Sequence, residues 1–234
     1  MEAENLYGGN VANAEMNGKP KFLIECMGLG AQTVIRKEEI KMLSRANKYF
    51  ALGKQYYDSS ILLLETIIKN DNCSLGIGFS DELALKNFNE NIKKSDARLL
   101  IPALFLSYQC VELYVKGLLL LKNNSIKNEH EISIFYNDLE KNYGKNSEIY
   151  KAIWCFYANQ IDILNKFKKN NDITTINQLY GALRYPEEKN EIIDHFSLKY
   201  NGSSVIKQIK KIIKILKKVD EEVLEEYKKE INNI

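Results

Sequence analysis

The sequence is poor in the residues that break helices and in those that bind metals. Its 234 residues include three prolines and twelve glycines, and so few breakers favour long helices. Two histidines, His130 and His195, are too few for an H-E-x-x-H site or a comparable cluster. The four cysteines (Cys26, Cys73, Cys110 and Cys155) are widely spaced with no C-x-x-C pair. That excludes the usual structural zinc pattern and suits a reducing cytoplasm. No Walker loop and no G-x-S-x-G elbow occurs. No metal and no cofactor are therefore expected. Residues 1–18 carry Glu2, Glu4 and Glu15 without a basic residue, which is not the pattern of a secretory signal, and a cytoplasmic protein is expected.

What is present is a globular composition, 45% hydrophobic and 27% charged. Thirty-three Lys plus Arg against 31 Asp plus Glu leave a net charge of +2, so an overall basic coat is excluded while a local basic patch is not. From Arg36 to Lys69, apolar steps of three and four run through Ile40, Leu43, Ala46, Tyr49 or Phe50, Leu52, Tyr56, Ser60, Leu63 and Ile67, which predicts a long helix. Further helices are predicted over Asp81–Lys94, from Ser95 or Asp96 to Leu121, over Glu131–Tyr143, from Ser147 to about Lys169, and over Ser203–Ile231. Asp172–Arg184 adds a turn or two before Tyr185-Pro186, where the residue preceding proline leaves the helical region. The reading is an all-α, up-and-down bundle of about five or six helices over residues 36–234, preceded by an irregular leader over residues 1–35. Leu99–Leu121 has the length of a membrane span. Glu112 and Lys116 would each cost about 2.5–3.5 kcal/mol there, so a buried core helix is expected and no membrane association.

Three places hold candidate chemistry. Glu112 and Lys116 share a face of that apolar helix as an i,i+4 pair, either a core ion pair or the polar floor of a ligand groove. His130 opens the next helix, where a cap or packing role competes with a catalytic one. Arg184 is one of four arginines against 29 lysines. In so lysine-rich a chain a retained arginine suggests a need for its planar fork. In the last helix Lys207, Lys210, Lys211, Lys214, Lys217 and Lys218 fill the first half, and Asp220, Glu221, Glu222, Glu225, Glu226 and Glu230 the second. That order opposes the helix dipole. It reads as a solvated face with i,i+4 pairs, or as a seam for an antiparallel second copy.

The stretch LSYQCVELYVKGLLLLKNNSIKNEHEISIFYNDLEKNYG resembles the centre of the HEPN superfamily. Its members carry E-L-x-x-K-x-x-L-L in an apolar helix, then a polar connector, then a His opening the next helix; Glu112, Lys116 and His130 fill those places. RANKYFALGKQYYDSSILLLE is similar to the family's first long helix, and Arg184-Tyr185-Pro186 matches a tripeptide of one bacterial subtype. The resemblance covers roughly residues 45 to 230. It implies a helical bundle, commonly a homodimer, from toxin–antitoxin, stress or phage-defence systems. It also implies RNA or a nucleotide as ligand, and a nucleotidyltransferase or other defence protein as a candidate partner.

Nucleolytic members use R-x(4–6)-H near the start of the last bundle helix, with His moving the proton and Arg steadying the phosphate. This chain departs from that motif, since Arg184 lies too far before His195 and the nearest fit is Lys189-Asn190-x(4)-His195. Lysine keeps the charge without the bidentate grip. The expectation is therefore a binding protein that does not cleave, using Glu112, Lys116, His130, Arg184 and Tyr185. The alternative is a divergent, metal-independent endoribonuclease using Lys189 and His195, and a second alternative is a protein–protein interaction module.

Overall fold

A computed structural model describes residues 37–72, 82–122, 132–158, 162–188 and 191–232. The expected leader (residues 1–35), His130 and Lys189 lie outside the described residues. The helices are α1 (Lys37–Lys69), α2 (Glu82–Ile92), α3 (Asp96–Leu121), α4 (Ile132–Tyr143), α5 (Glu148–Ala158), α6 (Asp162–Asn170), α7 (Ile176–Arg184) and α8 (Ser204–Asn232). A two-stranded hairpin, β1 (Glu187–Glu188) with β2 (Glu191–Ile192), and a 3₁₀ turn over His195–Leu198 separate α7 from α8. The fold is an all-α bundle.

Matching stripes on α1 and α3 set the architecture. On α1, Leu43, Ala46, Phe50, Gly53, Tyr57, Ser60, Leu64 and Ile67 are buried in steps that alternate three and four. On α3, Leu100, Ala103, Ser107, Cys110, Tyr114, Gly117 and Leu121 follow the same rhythm. This spacing keeps one seam facing one partner along the full length of a helix pair. The two helices interlock large against small: a Cβ at Gly117 would lie 2.7 Å from the Phe50 ring, and one at Gly53 would lie 2.7 Å from the Tyr114 ring. Farther along, Ser60 Oγ sits 2.6 Å from Ser107 Oγ. Position falls on α3 as it rises on α1, so the pair is antiparallel. The α1 stripe expected from periodicity is displaced by one residue at three points. Leu52 is 42% exposed and Tyr56 and Leu63 are only half-buried, while Gly53, Tyr57 and Leu64 face the seam.

The opposite side of α3 is covered by α4, α7 and α8, and every residue from Cys110 to Leu121 is buried. Leu85–Leu121 contains a window long and apolar enough to cross a membrane, but 83% of that window is buried inside the bundle. Burial also pushes the Cys110 thiol well above its usual value.

A second constraint ties the helix ends. Asp96, 1% exposed, accepts hydrogen bonds from Asn72 Nδ2 (3.0 Å) and from the backbone N–H groups of Tyr200 (2.8 Å) and Asn201 (2.7 Å). Its own N–H donates to Asn72 Oδ1 at 2.8 Å. One carboxylate thus joins the end of α1, the start of α3 and the entry to α8. Asn72, Tyr200 and Gly202 all have left-handed backbones, with φ of 46°, 56° and 58°. For Tyr200 that conformation costs about 1–2 kcal/mol, which its bond to Asp96 offsets.

The helix expected from Ser147 to about Lys169 is described as two, α5 and α6. At the start of α6, Ile163 N–H donates to Gln208 Oε1 of α8 at 2.8 Å. A Thr175–Gln178 capping box starts α7, and Pro186 ends it.

The seam yields a direct expectation. Alanine is the better helix former by about 1 kcal/mol, yet Gly117→Ala should lower the unfolding free energy by about 1–3 kcal/mol because Phe50 cannot yield in a filled core. Urea denaturation measures this, and Phe50→Leu added to Gly117→Ala should recover part of the loss.

Candidate functional site

The residues singled out in sequence gather around α7. Glu112 and Lys116 form the ion pair their spacing suggests, with Lys116 Nζ donating to Glu112 Oε1 at 2.6 Å. Their side chains are 0% and 8% exposed. The Lys116 ammonium also lies 4.7 Å from the centre of the Phe135 ring of α4, a favourable cation–π placement. Both side chains are enclosed by the bundle, so the pair belongs to the core and offers little surface to a ligand.

Tyr180 connects this pair to the surface. Its hydroxyl donates to Gln109 Oε1 of α3, and its ring stacks on Phe105 at 6.0 Å and on Tyr108 at 6.3 Å. Burial first, then the neighbouring Glu112 charge, pushes the Tyr180 hydroxyl well above the usual tyrosine value, with Arg184 pulling the other way. One turn later Arg184 is exposed. Its guanidinium lies 5.5 Å from the centre of the Tyr180 ring and 5.1 Å from that of Tyr185. Tyr185 is itself 53% exposed. A planar cation flanked by two rings, one of them open to solvent, can take a phosphate on its edge and an aromatic base on the tyrosine.

His195 completes the end of α7 from below. Its Nε2–H donates to the Ala182 carbonyl at 2.7 Å, and its ring packs 5.8 Å from that of Phe167 of α6. The reason lies in the sequence. The N–H that would bond the Ala182 carbonyl in a continuing helix belongs to residue 186, which is proline and has none. The last helical bond is therefore Tyr185 N–H to the Gly181 carbonyl at 3.0 Å, and His195 satisfies the orphaned acceptor that follows. The same proline's carbonyl accepts from Ile193 N–H at 2.8 Å, folding the hairpin back so that His195 reaches α7.

The structure thus brings Glu112, Lys116, Arg184, Tyr185 and His195 around one helix, the first two inside and the last three at its C-terminal end. Sequence reasoning missed Tyr180 and Gln109, the link between these groups. The available signal was Tyr180 lying one turn ahead of Arg184 on a helix whose apolar stripe runs through Leu179 and Leu183. Of the cysteines, Cys110 is buried as expected and Cys155 is exposed.

The HEPN-domain family model matches residues 82–223, more than half of the chain. The chain belongs to the HEPN family. Membership places it among proteins with RNA-related or defence roles. No curated protein and no solved structure matches the chain. The match takes in α2 through most of α8 and so includes the Glu112–Lys116 pair and the α7 end of this HEPN domain.

If the ion pair is structural, Lys116→Met alone should destabilise the fold by about 3–5 kcal/mol, because it strands a buried carboxylate. Adding Glu112→Met should restore most of that loss in urea denaturation.

Proposed function

We propose that this HEPN protein binds RNA or a nucleotide without cleaving it, acting in the cytoplasm within a bacterial stress, toxin–antitoxin or phage-defence system. The observation that supports binding is the exposed Arg184 guanidinium held between Tyr180 and Tyr185. An arginine in that setting is pre-organised for a phosphate, and stacking on an exposed tyrosine accommodates any base.

Two features favour binding over turnover. The chain lacks the R-x(4–6)-H spacing, Arg184 standing eleven residues before His195. The His195 Nε2–H is also engaged by the Ala182 carbonyl, an acceptor that Pro186 leaves open. A histidine acting as general base or acid needs a ring nitrogen within reach of the reacting hydroxyl, and a helix-capping bond restrains the ring in another task.

The test uses a fluorescein-labelled single-stranded oligonucleotide in metal-free buffer. The RNA should bind and remain intact through long incubation. Arg184→Ala should weaken binding about tenfold, the scale of one charge-assisted contact, with the melting temperature nearly unchanged because an exposed arginine contributes little to folding. Degradation abolished by His195→Ala would instead identify the divergent endoribonuclease that uses Lys189 and His195.

A further inference from the structure

The backbone leaves α7 as an extended strand, and that fixes which side chains stand beside Arg184 and Tyr185. Tyr185 has φ −122° and ψ 146°, the Pro186 ring holds φ at about −65°, and Glu187 opens β1. Along an extended chain, residues two apart project to the same face, about 6–7 Å from each other. Glu187 therefore stands next to Tyr185. Across the hairpin its register partner is Ile192, and directly opposed residues share a face. Burial agrees with this alternation: Tyr185 and Ile192 are 53% and 82% exposed, whereas Ile193, on the other face, is 8% exposed. Glu187 is exposed as well. One outer face thus presents the Arg184 guanidinium, the Tyr185 ring, the Glu187 carboxylate and the Ile192 side chain.

Three carboxylates surround this end of α7, and two of them are placed elsewhere. Asp194 accepts from the Phe196 N–H at 2.9 Å and so starts the 3₁₀ turn. Glu191 opposes Glu188 at the far end of the hairpin. The Glu187 side chain forms no hydrogen bond or ion pair with a described residue. An anion so near Arg184 repels the phosphate that the arginine attracts, which is a liability for a ligand that is phosphate alone. It becomes an advantage when another part of the ligand carries hydrogen-bond donors, because a carboxylate only accepts, through two oxygens. Among the common RNA bases, guanine alone sets two N–H donors side by side on its Watson–Crick edge, N1–H and N2–H. Adenine and cytosine place a ring acceptor beside the amino group, and uracil flanks its N3–H with two carbonyls. Each of those would set a lone pair against the carboxylate.

We propose that Glu187 makes this platform selective for guanine: Arg184 holds the phosphate, Tyr185 stacks the base, and the Glu187 carboxylate accepts from guanine N1–H and N2–H. This rests on the RNA- or nucleotide-binding reading and names the base that the site takes. Reading an unpaired base by stacking together with its Watson–Crick edge is a general mode of RNA recognition. Ile192 adds apolar surface beside the carboxylate, where it displaces water from those hydrogen bonds.

The experiment measures binding to the full chain of fluorescein-labelled uridine pentamers, by anisotropy, with guanosine, inosine, adenosine or uridine at the central position. GMP and AMP, titrated by calorimetry, cover a mononucleotide ligand. Guanosine should bind about tenfold tighter than adenosine or uridine, within the range of a bidentate base contact. Inosine keeps N1–H and lacks the 2-amino group, so it should fall between. Glu187→Gln should remove the guanosine advantage, because its amide presents a donor where the second acceptor stood. Its melting temperature should match the wild type, as expected for an exposed side chain. Equal binding of all bases by the wild type would overturn the inference and leave the binding reading in place, as would a guanine preference that survives Glu187→Gln. Binding of none of these probes would overturn the reading itself and the inference with it.

Discussion

Everything in this bundle is positioned by the close approach of α1 and α3. Phe50 lies over Gly117 and Tyr114 over Gly53, so each helix supplies both a large ring and the gap that receives the other's ring. Packing at this density leaves no room for a methyl group in either gap. With α1 fixed along one side of α3 and α4, α7 and α8 covering the rest, α3 has no solvent face over its last three turns. The Asp96 knot adds a polar lock at one end, holding the turn into α8 against the start of α3.

Enclosure of α3 decides what its charged residues can do. Glu112 and Lys116 sit where isolated charges would be costly, so their first obligation is to each other. The family's E-L-x-x-K pattern in this chain is thus the signature of a buried pair with a seam glycine, Gly117, directly after the lysine. The exposed polar groups lie instead at the end of α7, where Pro186 halts the helix, frees the Ala182 carbonyl and draws in His195. Arg184 and Tyr185 emerge at that break because the backbone there turns from helix to extended.

Much of this is legible in the sequence, and the exceptions have identifiable causes. The long helices with one clear stripe, α3 and α8, have ends close to those their patterns predict. The α1 stripe departs from its pattern where apolar neighbours compete, at Leu52–Gly53, Tyr56–Tyr57 and Leu63–Leu64. Periodicity counts a glycine as a gap, whereas here Gly53 is a contact. The i,i+4 pairing of Glu112 with Lys116 is visible in sequence, but its depth is not, since burial is set by what α4 and α7 bring. The part of His195 can be understood only with Pro186 and Ala182 in view together. The lysine–glutamate order of α8 and its local pairs at Glu222, Glu225 and Glu226 are plain, while the pairs of Asp220 with Lys54 and of Glu230 with Lys122 require the positions of α1 and α3.

Native-state hydrogen exchange on the unliganded protein tests most directly the claim that the polar groups of α3 are structural and that ligand contacts lie outside it. Amides from Cys110 to Leu121 should exchange only through global unfolding, so their opening free energy should equal the value from urea denaturation. Those at the end of α7 should open at clearly lower cost. Local opening around Glu112 and Lys116, well below the global value, would contradict the account and make that pair an accessible floor for a ligand.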